Sequence, residues 1–284
     1  MYNQEITRKH RAAFVLLLDR STSMQQMVRF GQMVASKSEV VAYTANALIT
    51  ELLDRCRRSD GIRNYYDIAV VGYCNDRVES LLSDNGFTSI KELSDRIPEA
   101  TSIAFESMLE DGSRMLTRHR QHRWIEPLAE GNTPMYEALH QARNLVEEWC
   151  EQPQNQESFP PIVINITDGE PTDCTDNDLL DVCTLIKRTA TADGNTLLIN
   201  IHICTDNSLP SVIFPMPEEL THAGHKVRLL ADCSSTMPEA LNNAIHELKG
   251  LGATPPYIGM GYNATVVELL SMINIGSRSI TQLE

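Results

Sequence analysis

The sequence predicts an α/β protein with a doubly wound, mostly parallel central sheet flanked by helices. Apolar runs of strand length recur along the chain without polar alternation, as in strands covered on both faces. Amphipathic stretches with helical spacing separate them. Two of the runs stop abruptly at carboxylates, Asp19 and Asp168. In such sheets ligands bind outside the carboxyl ends of the strands, near the switch in strand order.

The elements follow in order. Residues 12–19 form a buried strand ending in Asp19-Arg20-Ser21-Thr22-Ser23-Met24. Residues 37–57 form a helix, since Val40, Val41, Ala45, Leu48, Ile49, Leu52 and Leu53 share one face and Ser36 or Ser38 can cap it. Residues 67–74 are a second buried strand, and 78–82 pair with it across Asn75-Asp76. A short helix spans 89–97, closed by Pro98, and the stretch 100–130 has no clear pattern. Its basic run, Arg114 to Arg123, reads as a solvated strand or loop. Pro134 opens an amphipathic helix through Trp149, with Thr133 as a candidate cap at its N-terminus. A polar loop over 151–158 leads to a strand at 162–167, a helix over 177–191 and strands at 196–204 and 226–231. Helices at 236–248 and 265–273 complete the chain.

Composition narrows the function. The 284 residues suit one large domain, and 42% apolar content supports a real core. A net charge of −14 argues against a general nucleic-acid binder or a binder of anionic membranes. Seven scattered cysteines, never spaced Cys-x-x-Cys, argue against a disulfide framework or a zinc knuckle. The start is polar, without a signal-peptide core, and no apolar stretch approaches the roughly 20 residues of a membrane span, so a reducing cytosol is the expected compartment.

The chemistry concentrates in three segments: Asp19-x-Ser21-x-Ser23, Gly131-Asn132-Thr133-Pro134-Met135, and Thr167-Asp168-Gly169. Together they form a set of oxygen donors for a hard divalent cation, with no obvious nucleophile beside it. Asp19 is expected to face an aqueous cleft. In the loop beyond, Glu170, Thr172, Asp173, Asp176 and Asp178 read as a solvated acidic stretch, and Cys174 as a bystander. His222 and His225 lack the further ligands of a second metal site.

These three motifs and the order of elements resemble the metal-ion-dependent adhesion site (MIDAS) of von Willebrand factor A (VWA) domains, over roughly residues 10 to 235. The resemblance implies a Rossmann-like VWA domain at 10–235, with 236–284 as a helical extension packed on it. It implies that the Ser21, Ser23 and Thr133 hydroxyls contact Mg²⁺ (or Mn²⁺ or Ca²⁺), with Asp19 and Asp168 acting largely through water. A carboxylate from a partner's Asp or Glu would complete the octahedron, in a protein that is not an enzyme. The tail, from Pro255-Pro256-Tyr257-Ile258-Gly259-Met260-Gly261-Tyr262 to Leu269-Leu270-Ser271-Met272-Ile273-Asn274-Ile275-Gly276, resembles bacterial intracellular VWA proteins of the tellurium-resistance-associated kind. That likeness implies stress-response or phage-defence signalling beside a Ser/Thr kinase or PP2C-type phosphatase. Two other readings stand beside it. A metal-dependent hydrolase acting on phosphate or peptide bonds would need a general base and a basic clamp, yet Arg20 is the only basic residue in the motifs and should point away. An RNA-binding VWA protein fits poorly with the acidic charge.

Overall fold

The computed structural model describes residues 1–30, 33–84, 86–108, 113–203, 211–250, 252–264, 268 and 270–272. The main elements are β1 (Ala12–Asp19), β2 (Met27–Phe30), β3 (Met33–Ser36), α1 (Lys37–Cys56), β4 (Tyr66–Cys74), β5 (Arg77–Ser80), β6 (Thr88–Ser89), α2 (Ile90–Asp95), β7 (Thr101–Met108), β8 (Arg114–Gln121), α3 (Met135–Glu151), β9 (Ile162–Thr167), α4 (Asp176–Arg188), β10 (Leu197–His202), β11 (Val212–Ile213), α5 (His225–Cys233), α6 (Asn242–Lys249) and β12 (Met260–Tyr262).

The central sheet runs β11-β12-β10-β9-β1-β4-β5, with β6 also paired to β4. Strands β12, β10, β9, β1 and β4 are parallel, and the short edge strands β5, β6 and β11 run against their neighbours. The order reverses at β1, which has β4 on one side and β9 on the other. Alternate residues of β1 explain its unbroken apolar run. Phe14, Leu16 and Leu18 join a core with Val40, Val41, Leu48 and Leu52 of α1, whereas Val15 and Leu17 join one with Leu139, Val146, Leu179 and Leu230 of α3, α4 and α5. Both faces of the sheet are thus covered, and all eight residues of β1 are buried. Ser36 and Glu39 form a capping box that starts α1.

The region 100–130 supplies two strands of a second sheet, ordered β8-β7-β3-β2, whose β7–β8 hairpin lies over α1. Phe105 packs edge-on against Tyr43 at 5.5 Å, and Gln121 Nε2 donates to the Tyr43 carbonyl at 2.8 Å. Asn46, buried in α1, then pins the chain leaving β8. It accepts from the Trp124 and Ile125 amides at 2.9 and 3.0 Å and donates to the Ile125 carbonyl at 2.8 Å.

Three expectations for the C-terminal third are corrected. Residues 226–231 belong to helix α5, not to a strand: Val227, Leu230 and Ala231 are buried at helical spacing, and so short an apolar run has no decisive period. The segment after 235 is no separate helical extension, because β12 is a strand of the main sheet, parallel to β10. The helix expected over 236–248 is broken at Pro238, leaving a 3-10 turn at Glu239–Leu241 before α6. Most of 265–273, the end of the tail motif and Cys204 lie outside the described residues.

Candidate metal centre

Residues Asp19 and Thr167 close adjacent parallel strands, and the pairing of Leu18 with Ile166 brings them side by side. Thr167 Oγ1 donates to Asp19 Oδ2 at 2.6 Å, and the Ser21 amide donates to Asp19 Oδ1 at 2.9 Å. The carboxylate is 1% exposed, buried rather than set in the open cleft expected. Burial pushes its carboxyl above the usual range, and the hydrogen bonds from Ser21 and Thr167 partly offset this.

From the end of β1 the chain bends into a single 3-10 turn, Thr22–Gln25, which carries Ser23. The Ser21 and Ser23 hydroxyls lie 3.0 Å apart, and Ser23 Oγ donates to Asp168 Oδ1 at 2.6 Å. Four of the five residues singled out in the sequence therefore share one connected network: Asp19, Ser21, Ser23 and Asp168. Arg20, at the alternate position, turns away to pair with Glu79 at 2.8 Å.

The fifth residue, Thr133, sits on the adjoining loop. Its Oγ1 lies 4.0 Å from the point that a Cβ on Gly169 would occupy. The Thr133 hydroxyl has no hydrogen-bond partner among the described residues. Its main chain is fixed instead: its amide donates to Thr172 Oγ1 at 3.0 Å, and its carbonyl accepts from the Thr172 amide at 3.0 Å. The loop is tied to the first motif by Glu130 N donating to the Arg20 carbonyl and Thr22 N donating to the Gly131 carbonyl, at 2.8 and 3.0 Å. Gly131 adopts φ +65°, and a Cβ there would fall 1.6 Å from Asn75 Oδ1.

Thr133 does not cap α3. Asp173 does, accepting from the Tyr136 and Glu137 amides at 3.2 and 3.1 Å. Asp178 likewise completes a capping box with Thr175 at the start of α4. Much of the acidic loop therefore serves helix ends. Cys174 carries a thiol pushed up to about 12 by burial and nearby carboxylates, which leaves it a poor nucleophile.

Sequence reasoning missed two residues here. Lys37, the first residue of α1, is 3% exposed and donates from Nζ to Asp168 Oδ2 and, at 2.8 Å, to Gln26 Oε1. Periodicity marks the apolar face of a helix and gives no signal for a lysine at its first turn reaching a strand 131 positions away. His202, paired with Thr167 at the end of β10, is 7% exposed and stacks on Tyr262 at 5.4 Å. Burial pushes its imidazole down to about 4, so it is neutral at pH 7.

The donor chemistry fits a hard divalent cation. The side chains offer only oxygen, from two carboxylates and three hydroxyls, and the Thr133 hydroxyl is without a partner among the described residues. Among the described residues no group of three or more His, Cys, Asp and Glu is placed to hold a metal. Any metal at this site would therefore depend on the hydroxyls. Lys37 is the feature that such a set does not call for.

No protein-family model matches the chain, and no curated protein sequence matches it. Among solved structures, it is similar to a von Willebrand factor type A protein from Catenulispora acidiphila (TM-score 0.47, 12% identity), covering 95% of this chain and 43% of that one. It is similar also to the SpRpn10 VWA domain (TM-score 0.41, 11% identity, 87% of this chain and 100% of that one). A third likeness is to the vWF domain of the type V pili tip protein Mfa5 from Porphyromonas gingivalis (TM-score 0.46, 10% identity, 97% and 98%). The chain thus spans less than half the length of the Catenulispora protein. Among the described residues no helix is long and apolar enough to cross a membrane.

Proposed function

We propose that this chain is a VWA-type protein-interaction module, not an enzyme, that docks a partner's Asp or Glu carboxylate through a divalent cation. Ser21, Ser23 and Thr133 would hold the cation, with Asp19 and Asp168 acting through water. Bound there, the cation would supply a positive centre with an open position for an anionic oxygen. The observation that carries this reading is the single network joining Asp19, Ser21, Ser23 and Asp168 at the carboxyl ends of β1 and β9. The resident ion is proposed as Mg²⁺, with Mn²⁺ or Ca²⁺ as alternatives. A bacterial, cytosolic setting in stress-response or phage-defence signalling, with a kinase or phosphatase as partner, is supported by the tail motif alone.

Calorimetric titration of the purified chain with Mg²⁺, Mn²⁺ and Ca²⁺ tests the site. Saturable binding that is lost in Asp19→Ala is expected. Undiminished affinity in that variant, or no binding by the wild type at millimolar metal, rejects the reading. A tagged pulldown from the native host, with and without EDTA, would then recover the partner only when metal is present.

A further inference from the structure

We infer that the Lys37 ammonium is a tethered counter-cation that holds the site in its metal-free form and must leave Asp168 before a divalent ion can bind. This deepens the proposed function and rests on it. Three observations carry it. First, Lys37 is an unfavourable residue where it stands. It is the first residue of α1, where the helix dipole disfavours positive charge, and its side chain is 4% exposed. Second, its Nζ reaches past the helix end to Asp168 Oδ2 and Gln26 Oε1. The Asp168 carboxylate is then engaged on both oxygens, because Ser23 holds Oδ1. Third, the charges balance poorly with both cations present. Asp19 and Asp168 bring two negative charges, which one divalent ion would neutralise, and Lys37 would add an unmatched positive charge in a buried setting. Metal and ammonium therefore compete for the same carboxylate, and metal-free protein is not left with an uncompensated acidic pair. The site would then respond to a threshold metal concentration set by Lys37.

The test compares Mn²⁺ and Mg²⁺ affinities of wild type, Lys37→Met and Lys37→Arg by calorimetry, alongside melting temperatures with EDTA and with excess Mg²⁺. Lys37→Met should bind at least about tenfold more tightly than wild type. It should also melt lower than wild type in EDTA and gain more on adding Mg²⁺. Lys37→Arg, which keeps the charge, should stay close to wild-type affinity. Equal or weaker binding by Lys37→Met, with wild-type binding intact, overturns the inference and leaves the proposed function standing. Failure of wild type and both variants to bind any divalent ion overturns both. A measurement on the wild type covers the case of a variant that does not fold. With ¹⁵N-labelled lysine, the buried Lys37 Nζ signal should shift or broaden as Mg²⁺ saturates the site, and a signal unmoved at saturation overturns the inference.

Discussion

The Thr167 hydroxyl donates to the Asp19 carboxylate at 2.6 Å, between neighbouring strands whose residues lie 148 positions apart in the chain. The same oxygen accepts from the Gly169 amide at 3.1 Å, so one side chain sets both the orientation of Asp19 and the bend that carries Asp168. Thr167→Val removes both bonds beside a buried charge and should cost about 1–3 kcal/mol of stability. Thr167→Ser should recover most of it. Urea unfolding of the two variants measures the difference.

Thr133→Ala separates binding from folding. The Thr133 hydroxyl supports no helix end, so the substitution should cost no more than about 1 kcal/mol, for the buried methyl it removes, while weakening divalent binding. Asp173→Ala should cost about 1 kcal/mol through the lost cap of α3 but leave divalent binding unchanged, because the donor set stays in place. Parallel melting curves and metal titrations would show the contrast.

Gly131→Ala should disturb the site from outside it. The added methyl meets Asn75 Oδ1 and, at 2.9 Å, the Asn75 backbone, in a conformation unsuited to alanine. The loop carrying Thr133 must move, so metal affinity should fall together with stability. Asn75→Gly in the same chain should restore part of both by removing the side chain the methyl strikes.

The pH dependence of stability should carry a signature of His202. Its imidazole is held down to about 4 by burial, against 6.5 when unperturbed. The unfolded chain therefore binds a proton between these values that the folded chain does not. The stabilisation is complete above pH 6.5 and is lost as pH falls towards 4, by about 3 kcal/mol in all. Urea unfolding at pH 7.5 and 4.5 should show that His202→Gln loses less stability on acidification than wild type. An equal loss in both proteins would contradict the assignment.

Beneath the site, a chain of polar groups crosses the core. Tyr73 donates to Asn165 Oδ1 at 2.8 Å, Asn165 to Asn200 Oδ1 at 3.0 Å, and Asn200 to Ser234 Oγ at 3.0 Å. Asn165→Ala strands a buried phenol and an amide oxygen and should cost about 2–4 kcal/mol. The double variant with Asn200→Ala should lose less than the sum of the two single losses, as measured by a double-mutant cycle.

Much of the fold could be read directly from residue patterns. The strands Ala12–Asp19 and Ile162–Thr167 fall where the apolar runs place them, because a strand covered on both faces is almost wholly apolar until its end; the one polar residue inside either, Asn165, is hydrogen-bonded to Tyr73 and Asn200. Helices α1 and α3 were visible for a similar reason, since one face of each must be apolar. The second sheet was not. Its strands Thr101–Met108 and Arg114–Gln121 are largely exposed, and hairpin pairing with a few buried contacts, such as Phe105 against Tyr43, holds them in place of a continuous apolar face. The strand at Met260–Tyr262 was missed as well: three residues are too few to show a period.

The donor residues were marked locally, as polar side chains where apolar strands end. Their surroundings were not, because these depend on which distant segments the sheet brings together. Lys37 meets Asp168, Asp173 caps α3 and His202 is shut away from water only once β1, β9 and β10 lie side by side. A lysine at a helix start and a lysine locked onto a strand-end carboxylate look the same in one dimension. Chain packing makes the second an internal cation, because burial leaves the charge nowhere else to go.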